Sequence, residues 1–292
     1  MTVAAVWKFY AKEIFKRWEF WTLAVLLMTF WQSTGAYVFA DYSFPPEVRQ
    51  RVGEEMWRKL VHSYTGGWYG VAALFTLAFV AVELVHVTCH SVISLRFLSK
   101  YSKASAPKFF AGLVLASLTA AIAATCLLVA STVVFYSHKF YNLEELILPQ
   151  NPLGILAVTL AGGLFVYFLS MTLALLVVLL RRPRALTAVS FVPAVLAFML
   201  GYTANYAGGT EMQIQPFSLI VKLGDYYYSG VPLDLTRPNV QVWMAWLRGE
   251  PIDAMEPLLV WLMVACWIVL FALLSLLLLR KQRGVNVEEF MA

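Results

Sequence analysis

Six long apolar runs, separated by charged connections, leave this chain of 292 residues very few folds. They fall at residues 22–40, 68–88, 109–135, 153–180, 185–206 and 258–279. Each is long enough to cross about 30 Å of hydrocarbon as a helix. A helix is the only open-chain structure that satisfies its own backbone in lipid. Composition agrees: 13% of residues are charged, where a soluble chain carries roughly a quarter. A soluble monomer is thereby excluded, and the predicted class is an all-α polytopic membrane protein with six transmembrane helices. The first run is too long for a cleavable signal and lacks a small-residue cleavage site after it, so it is expected to remain as a helix.

The charges sort by side. Residues 1–21, 89–108, 181–184 and 280–292 together hold 14 basic residues and four acids. Residues 41–67, 137–152 and 207–257 hold eight basic residues and 12 acids. Positive segments stay inside, so both termini are predicted to be cytoplasmic and the protein to sit in the cell membrane. A net charge of +5 therefore reflects sidedness and no affinity for nucleic acid. The three cysteines, Cys89, Cys126 and Cys266, lie in or beside apolar runs and give no disulfide framework.

Residues 1–21 show helical periodicity. Val3, Val6, Trp7, Tyr10, Ile14, Trp18 and Trp21 gather on one side, opposite Lys8, Lys12, Lys16 and Glu19. This predicts an amphipathic helix in the inner interface, with its lysines toward anionic lipid. On the outer side, Pro45-Pro46 and EVRQRVGEEMWRKL predict a short external helix. Residues 207–257 hold PFSLIVKL and VQVWMAWL between prolines. These pieces are too short to cross and are expected to lie on, or dip into, the outer leaflet as broken or re-entrant helices. Tyr226-Tyr227-Tyr228, Trp243 and Trp246 read as markers of outer-interface depth.

No G-x-x-x-x-G-K-[ST], H-E-x-x-H, C-x-x-C or G-x-S-x-G occurs. If the protein uses ATP, another chain binds it. One ionisable cluster stands within a span: Glu83, His86 and His90 share a helix face by their spacing of three and four. An ionisable residue at membrane depth marks a functional candidate. The cluster reads as a structural or gating polar group, or alternatively as a metal or proton site; no metal is assigned to it. Residues 89–108 carry Arg96, Lys100, Lys103 and Lys108 with no acid, interleaved with Val92, Ile93, Leu95, Phe97 and Leu98. They read either as the frayed inner end of span two or as a short cytoplasmic helix lying across the membrane surface. Gly112, Ala116, Ala120 and Ala124, four apart, offer a close-packing face for the bundle or for a dimer.

The interfacial helix, six spans, short cytoplasmic helix between spans two and three, and broken helices before span six resemble the type-2 ABC transporter permease. FLSKYSKASAPKFFAGLVLAS is similar to that family's stretch after its coupling helix, and TEMQIQPFSLIVKLGDYYYSG to the element before its last span. The family's acidic-basic pair and glycine at the start of the coupling helix are replaced here by Cys89-His90 and Ile93, and its proline is displaced to Pro107.

The resemblance implies a single domain over 1–292, with 1–21 interfacial, 22–206 spans one to five, 207–257 an outer element, 258–279 span six and 280–292 a cytoplasmic tail. It implies an exporter subunit without catalytic residues or cofactor of its own. Two cytoplasmic ATPase subunits would hold ATP and Mg, and a second permease subunit, identical or not, would complete the pathway. His90, Ile93, Arg96, Phe97, Leu98, Lys100 and Tyr101 would form the surface that couples to the ATPase. The alternative function is a polytopic membrane enzyme or metal-handling protein that uses the Glu/His cluster.

Overall fold

The computed structural model describes residues 2–44, 52–101, 105–140, 145–180 and 185–281, with the backbone alone at 23, 83, 84, 86–101 and 106. Among the described residues every regular element is a helix. α1 spans Val3–Lys16 and α2 Trp18–Ser43. α3 runs Glu54–Tyr101, α4 Ala106–Lys139, α5 Pro152–Leu179 and α6 Leu186–Tyr206. After the one-turn α7 (Thr210–Gln213) come α8 (Pro216–Ser229), α9 (Asn239–Arg248) and α10 (Pro257–Lys281). Six helices among the described residues are long and apolar enough to cross a membrane: α2, residues Glu54–Val82 of α3, Pro107–Lys139 of α4, and α5, α6 and α10.

The boundaries follow local chemistry. Asn151 caps α5, its side chain accepting from Gly154 N at 2.9 Å, and Pro152 occupies the first helical position. Pro107 and Pro216 likewise open α4 and α8. α8 and α9 both end on a left-handed glycine, Gly230 (φ 76°) and Gly249 (φ 67°), where a side chain would be strained. α2 is wound more loosely, with π-helical turns at Thr22–Leu27 and Thr34–Phe39.

Two expected elements merge into α3. Residues 54–60 of the expected external helix and residues 89–101 after the span are both continuous with it, in one helix of 48 residues; residues 47–51 lie outside the described residues. On the basal side the reason lies in the sequence: no proline or glycine occurs from Val71 to Ala106, so nothing interrupts the backbone ladder. Residues 89–101 are thus the end of α3, and no separate surface helix precedes Tyr101.

The apolar core divides by height. At one end, here basal, Val6, Tyr10 and Ile14 of α1 join Phe109 and Leu113 of α4, Leu175 and Val178 of α5 and Leu279 of α10. The first helix and the last turn of α10 therefore share the basal end. At the distal end Trp57, Tyr64 and Trp68 of α3 pack with Tyr136, Ile147, Tyr228 and Trp243. The apolar face expected on α1 is realised in part: Val6, Tyr10 and Ile14 are buried, whereas Trp18 is 70% exposed. That face is spent on α4, where a Cβ on Gly112 would stand 2.5 Å from Val6. Gly163 of α5 closes on Ala121, further along α4. The small-residue stripe of α4 thus serves contacts inside the bundle.

Candidate functional site

α8 is only 14 residues long, about 21 Å of helix, and does not cross a bilayer. It is nonetheless enclosed, packed against α3, α5, α6 and α10. Three glycines of α3 make room for it and for α9. A Cβ on Gly66 would lie 2.7 Å from Asp225 Oδ1, one on Gly67 2.7 Å from the Trp243 ring, and one on Gly70 3.0 Å from Val221 Cα. Glycine inside a helix costs about 1 kcal/mol relative to alanine; here it admits neighbouring helices to backbone distance.

This close approach encloses two charges. Lys222 and Asp225, one turn apart on α8, are each 2% exposed. Lys222 Nζ donates to the Arg237 carbonyl at 2.8 Å and to Asn239 Oδ1 at 3.1 Å. Asn239 Nδ2 donates to Asn205 Oδ1 at 2.9 Å, and Asn205 Nδ2 to the Gly67 carbonyl at 2.9 Å. A single chain of hydrogen bonds thus ties α8, α9, α6 and α3. Asp225 accepts from Trp243 Nε1 at 2.6 Å and from Ser229 Oγ at 2.8 Å. Beside Lys222, Asp234 holds Thr236 N at 2.7 Å and pairs with Arg237 at 3.2 Å. Buried polar groups are expensive unless hydrogen-bonded, and here nearly every donor and acceptor is used.

Burial sets the electrostatics. It pushes the Asp225 carboxyl up to about 7, against the opposing effect of its hydrogen bonds from Trp243 and Ser229 and of the Lys222 charge. It pulls the Lys222 ammonium down to about 8, against the fields of Asp225 and Asp234. Burial thus moves both groups from their ordinary values toward neutrality.

The structure places Glu83, His86, His90, Ile93, Arg96, Phe97, Leu98, Lys100 and Tyr101 on the helical backbone of α3. Their side chains lie outside the described residues. Among the described residues no group of three His, Cys, Asp or Glu is arranged to hold a metal. The aromatic residues read as interface markers are in part core. Trp243 and Tyr228 are buried, Tyr228 donating to the Ile147 carbonyl at 2.8 Å, while Trp261 Nε1 donates to Tyr227 at 3.0 Å.

Sequence reasoning counted Lys222 and Asp225 only as outer-side charges. Their signal was present: a lysine and an aspartate interrupt the apolar run PFSLIVKLGDYYYS, and Gly66-Gly67-x-x-Gly70 marks a helix that accepts close neighbours. No protein-family profile, curated protein or solved structure matches the chain.

Proposed function

We propose that the chain is the transmembrane permease subunit of an ABC transporter, an exporter, driven by separate ATP-binding subunits that engage the basal reach of α3. The supporting observation is the length of that helix. Its 48 residues extend about 72 Å, more than twice the hydrocarbon thickness. The second apolar run ends at residue 88, and residues 89–101 continue the same helix for about 20 Å. This projection carries Arg96 and Lys100 amid Ile93, Phe97 and Leu98, with no acid after Glu83. Such a surface fits an apolar groove with an acidic rim. A helix continuous with a span transmits force on its free end directly into the bundle.

The positive-inside bias assigns the basal end to the cytoplasm, the side on which ATP is available. The distal insertion of α7, α8 and α9 between spans five and six accords with the same reading, since broken helices at membrane depth are tolerated only where protein covers them. Two such subunits would line one pathway, α8 and α9 forming its outer, re-entrant part.

Affinity purification of the tagged chain in mild detergent tests this reading. It should recover a P-loop ATPase together with ATP hydrolysis. Leu98→Asp or Phe97→Asp should abolish recovery of the ATPase while leaving thermal unfolding of the purified chain unchanged. Full ATPase recovery by both variants would reject the coupling surface.

A further inference from the structure

α9 lies between two left-handed glycines, Gly230 and Gly249, and the segments 230–238 and 249–256 that flank it are not helical. Its buried face is narrow: Asn239, Val242, Trp243 and Ala245. Asn239 sits on Lys222, and Trp243 sits on Asp225 and Gly67. Lifting α9 would uncover both charges in one movement.

The neutral forms of both groups suit the closed state. An uncharged amine keeps two N–H groups for the Arg237 carbonyl and Asn239. A carboxylic acid keeps an acceptor for Trp243 and places its hydroxyl toward Ser229. Each ionised form retains the same partners and adds a desolvation cost that water would relieve. We propose that Lys222 and Asp225 are a proton-binding site beneath α9, and that α9 is an outer cap clamped by proton uptake at Asp225 or proton loss at Lys222. The cap lifts most readily when both groups are charged.

The surroundings leave these two groups dominant. α8 itself adds Tyr226, Tyr227 and Tyr228, and α3 presents Gly66 with His62 a turn away. α6 offers Asn205 and Tyr206, α5 carries no charged residue, and α10 carries none before Arg280. The one charge of α9, Arg248, lies at its far end facing Glu250 at 3.5 Å. The segment before α9 supplies the Asp234–Arg237 pair, whose carboxylate acts on Lys222.

The pH dependence has two limbs of opposite sign. The closed state raises Asp225 from its ordinary 3.8 to about 7, so it holds the proton more tightly than the open state. Closure is therefore favoured as pH falls below about 7, by up to roughly tenfold per unit, and gains nothing from Asp225 above that. Lys222 is lowered from 10.5 to about 8, so the closed state prefers its unprotonated form. Closure is favoured again as pH rises above about 8. Opening should peak between the two values.

Amide hydrogen exchange of the full chain in lipid nanodiscs, without ATP, reads this directly. After correction for intrinsic exchange, peptides covering 239–248 should be least protected between about pH 7 and 8. Protection should rise on both sides, by up to about tenfold per unit on the acid side. Asp225→Asn should flatten the acid limb and keep the alkaline one; Lys222→Met should do the reverse. A wild-type profile that is flat or monotonic overturns the proposal without any variant, as does an acid limb that survives in Asp225→Asn. The outcome is independent of whether residues 89–101 engage an ATPase.

Discussion

α8 and α10 invert the usual relation between polarity and burial. α10 is almost uniformly apolar over 25 residues, yet its crossing segment is only 17% buried in the protein. Leu258, Leu262, Val269, Leu273 and Leu277 all stand more than half exposed. α8 is short and carries a lysine and an aspartate, yet 12 of its 14 residues are buried. In water the apolar helix would be the one inside. In a bilayer the lipid solvates Leu and Val as well as the protein does, so apolar area no longer decides what is buried. Polar groups do, because lipid cannot hydrogen-bond to them. Ser275 makes the point within α10: fully buried, it meets Thr172 at 2.9 Å and the Phe168 carbonyl at 3.1 Å.

The contrast can be broken at α8 first. Asn205→Leu removes the residue that joins Gly67 to Asn239, leaves the buried Asn239 amide unpaired and strips the helical Gly67 carbonyl of its second hydrogen bond. At about 1–3 kcal/mol for the orphaned amide and about 0.5–1.5 kcal/mol for the second bond, it should produce the largest fall in thermal midpoint of the detergent-purified chain. Gly67→Ala comes next. The added methyl meets the Trp243 ring at 2.7 Å and Asn205 Oδ1 at 3.1 Å, and overpacking of this kind costs about 1–3 kcal/mol. Pairing it with Trp243→Leu, which makes space while giving up the hydrogen bond to Asp225, should recover part of the loss. No recovery would mean that the glycine serves some need other than contact with α9.

Smaller effects belong to α10. Ser275→Ala should cost about 0.6 kcal/mol, the average for an interhelical hydrogen bond in a membrane protein. Leu273→Ala, on the exposed face, should lie within about 0.5 kcal/mol of wild type. A loss there as large as for Asn205→Leu would show that α10 is covered by another protein chain and not by lipid, and would erase the contrast.

Much of the frame is legible along the chain. The run at residues 153–180 becomes α5, Pro152–Leu179, and that at 258–279 becomes α10, Pro257–Lys281. Hydropathy and helix-opening prolines act over a few residues, so the sequence alone displays them. The join between an external helix and span two was less legible, because the apolar run begins only at residue 68, directly after Gly66-Gly67. With Asp225 and Trp243 pressed against those glycines, the helix continues through them. Arg17 sharpens the other side of the same lesson: extended there (φ −79°, ψ 126°), it ends α1 where periodicity alone ran on through Trp18 and Trp21.

The amino-acid sequence by itself determined that this protein is helical with six runs long and apolar enough to cross a membrane, because each run is fixed by its own composition against a uniform slab of hydrocarbon. The tertiary structure alone decided that Lys222 and Asp225, which sorting by side counts simply among the outer charges, lie together beneath α9. Their burial depends on a notch of three glycines in α3, on Asn205 of α6 and on Trp243 of α9. Desolvation is a property of what surrounds a group, and here the surroundings come from segments far apart in the chain.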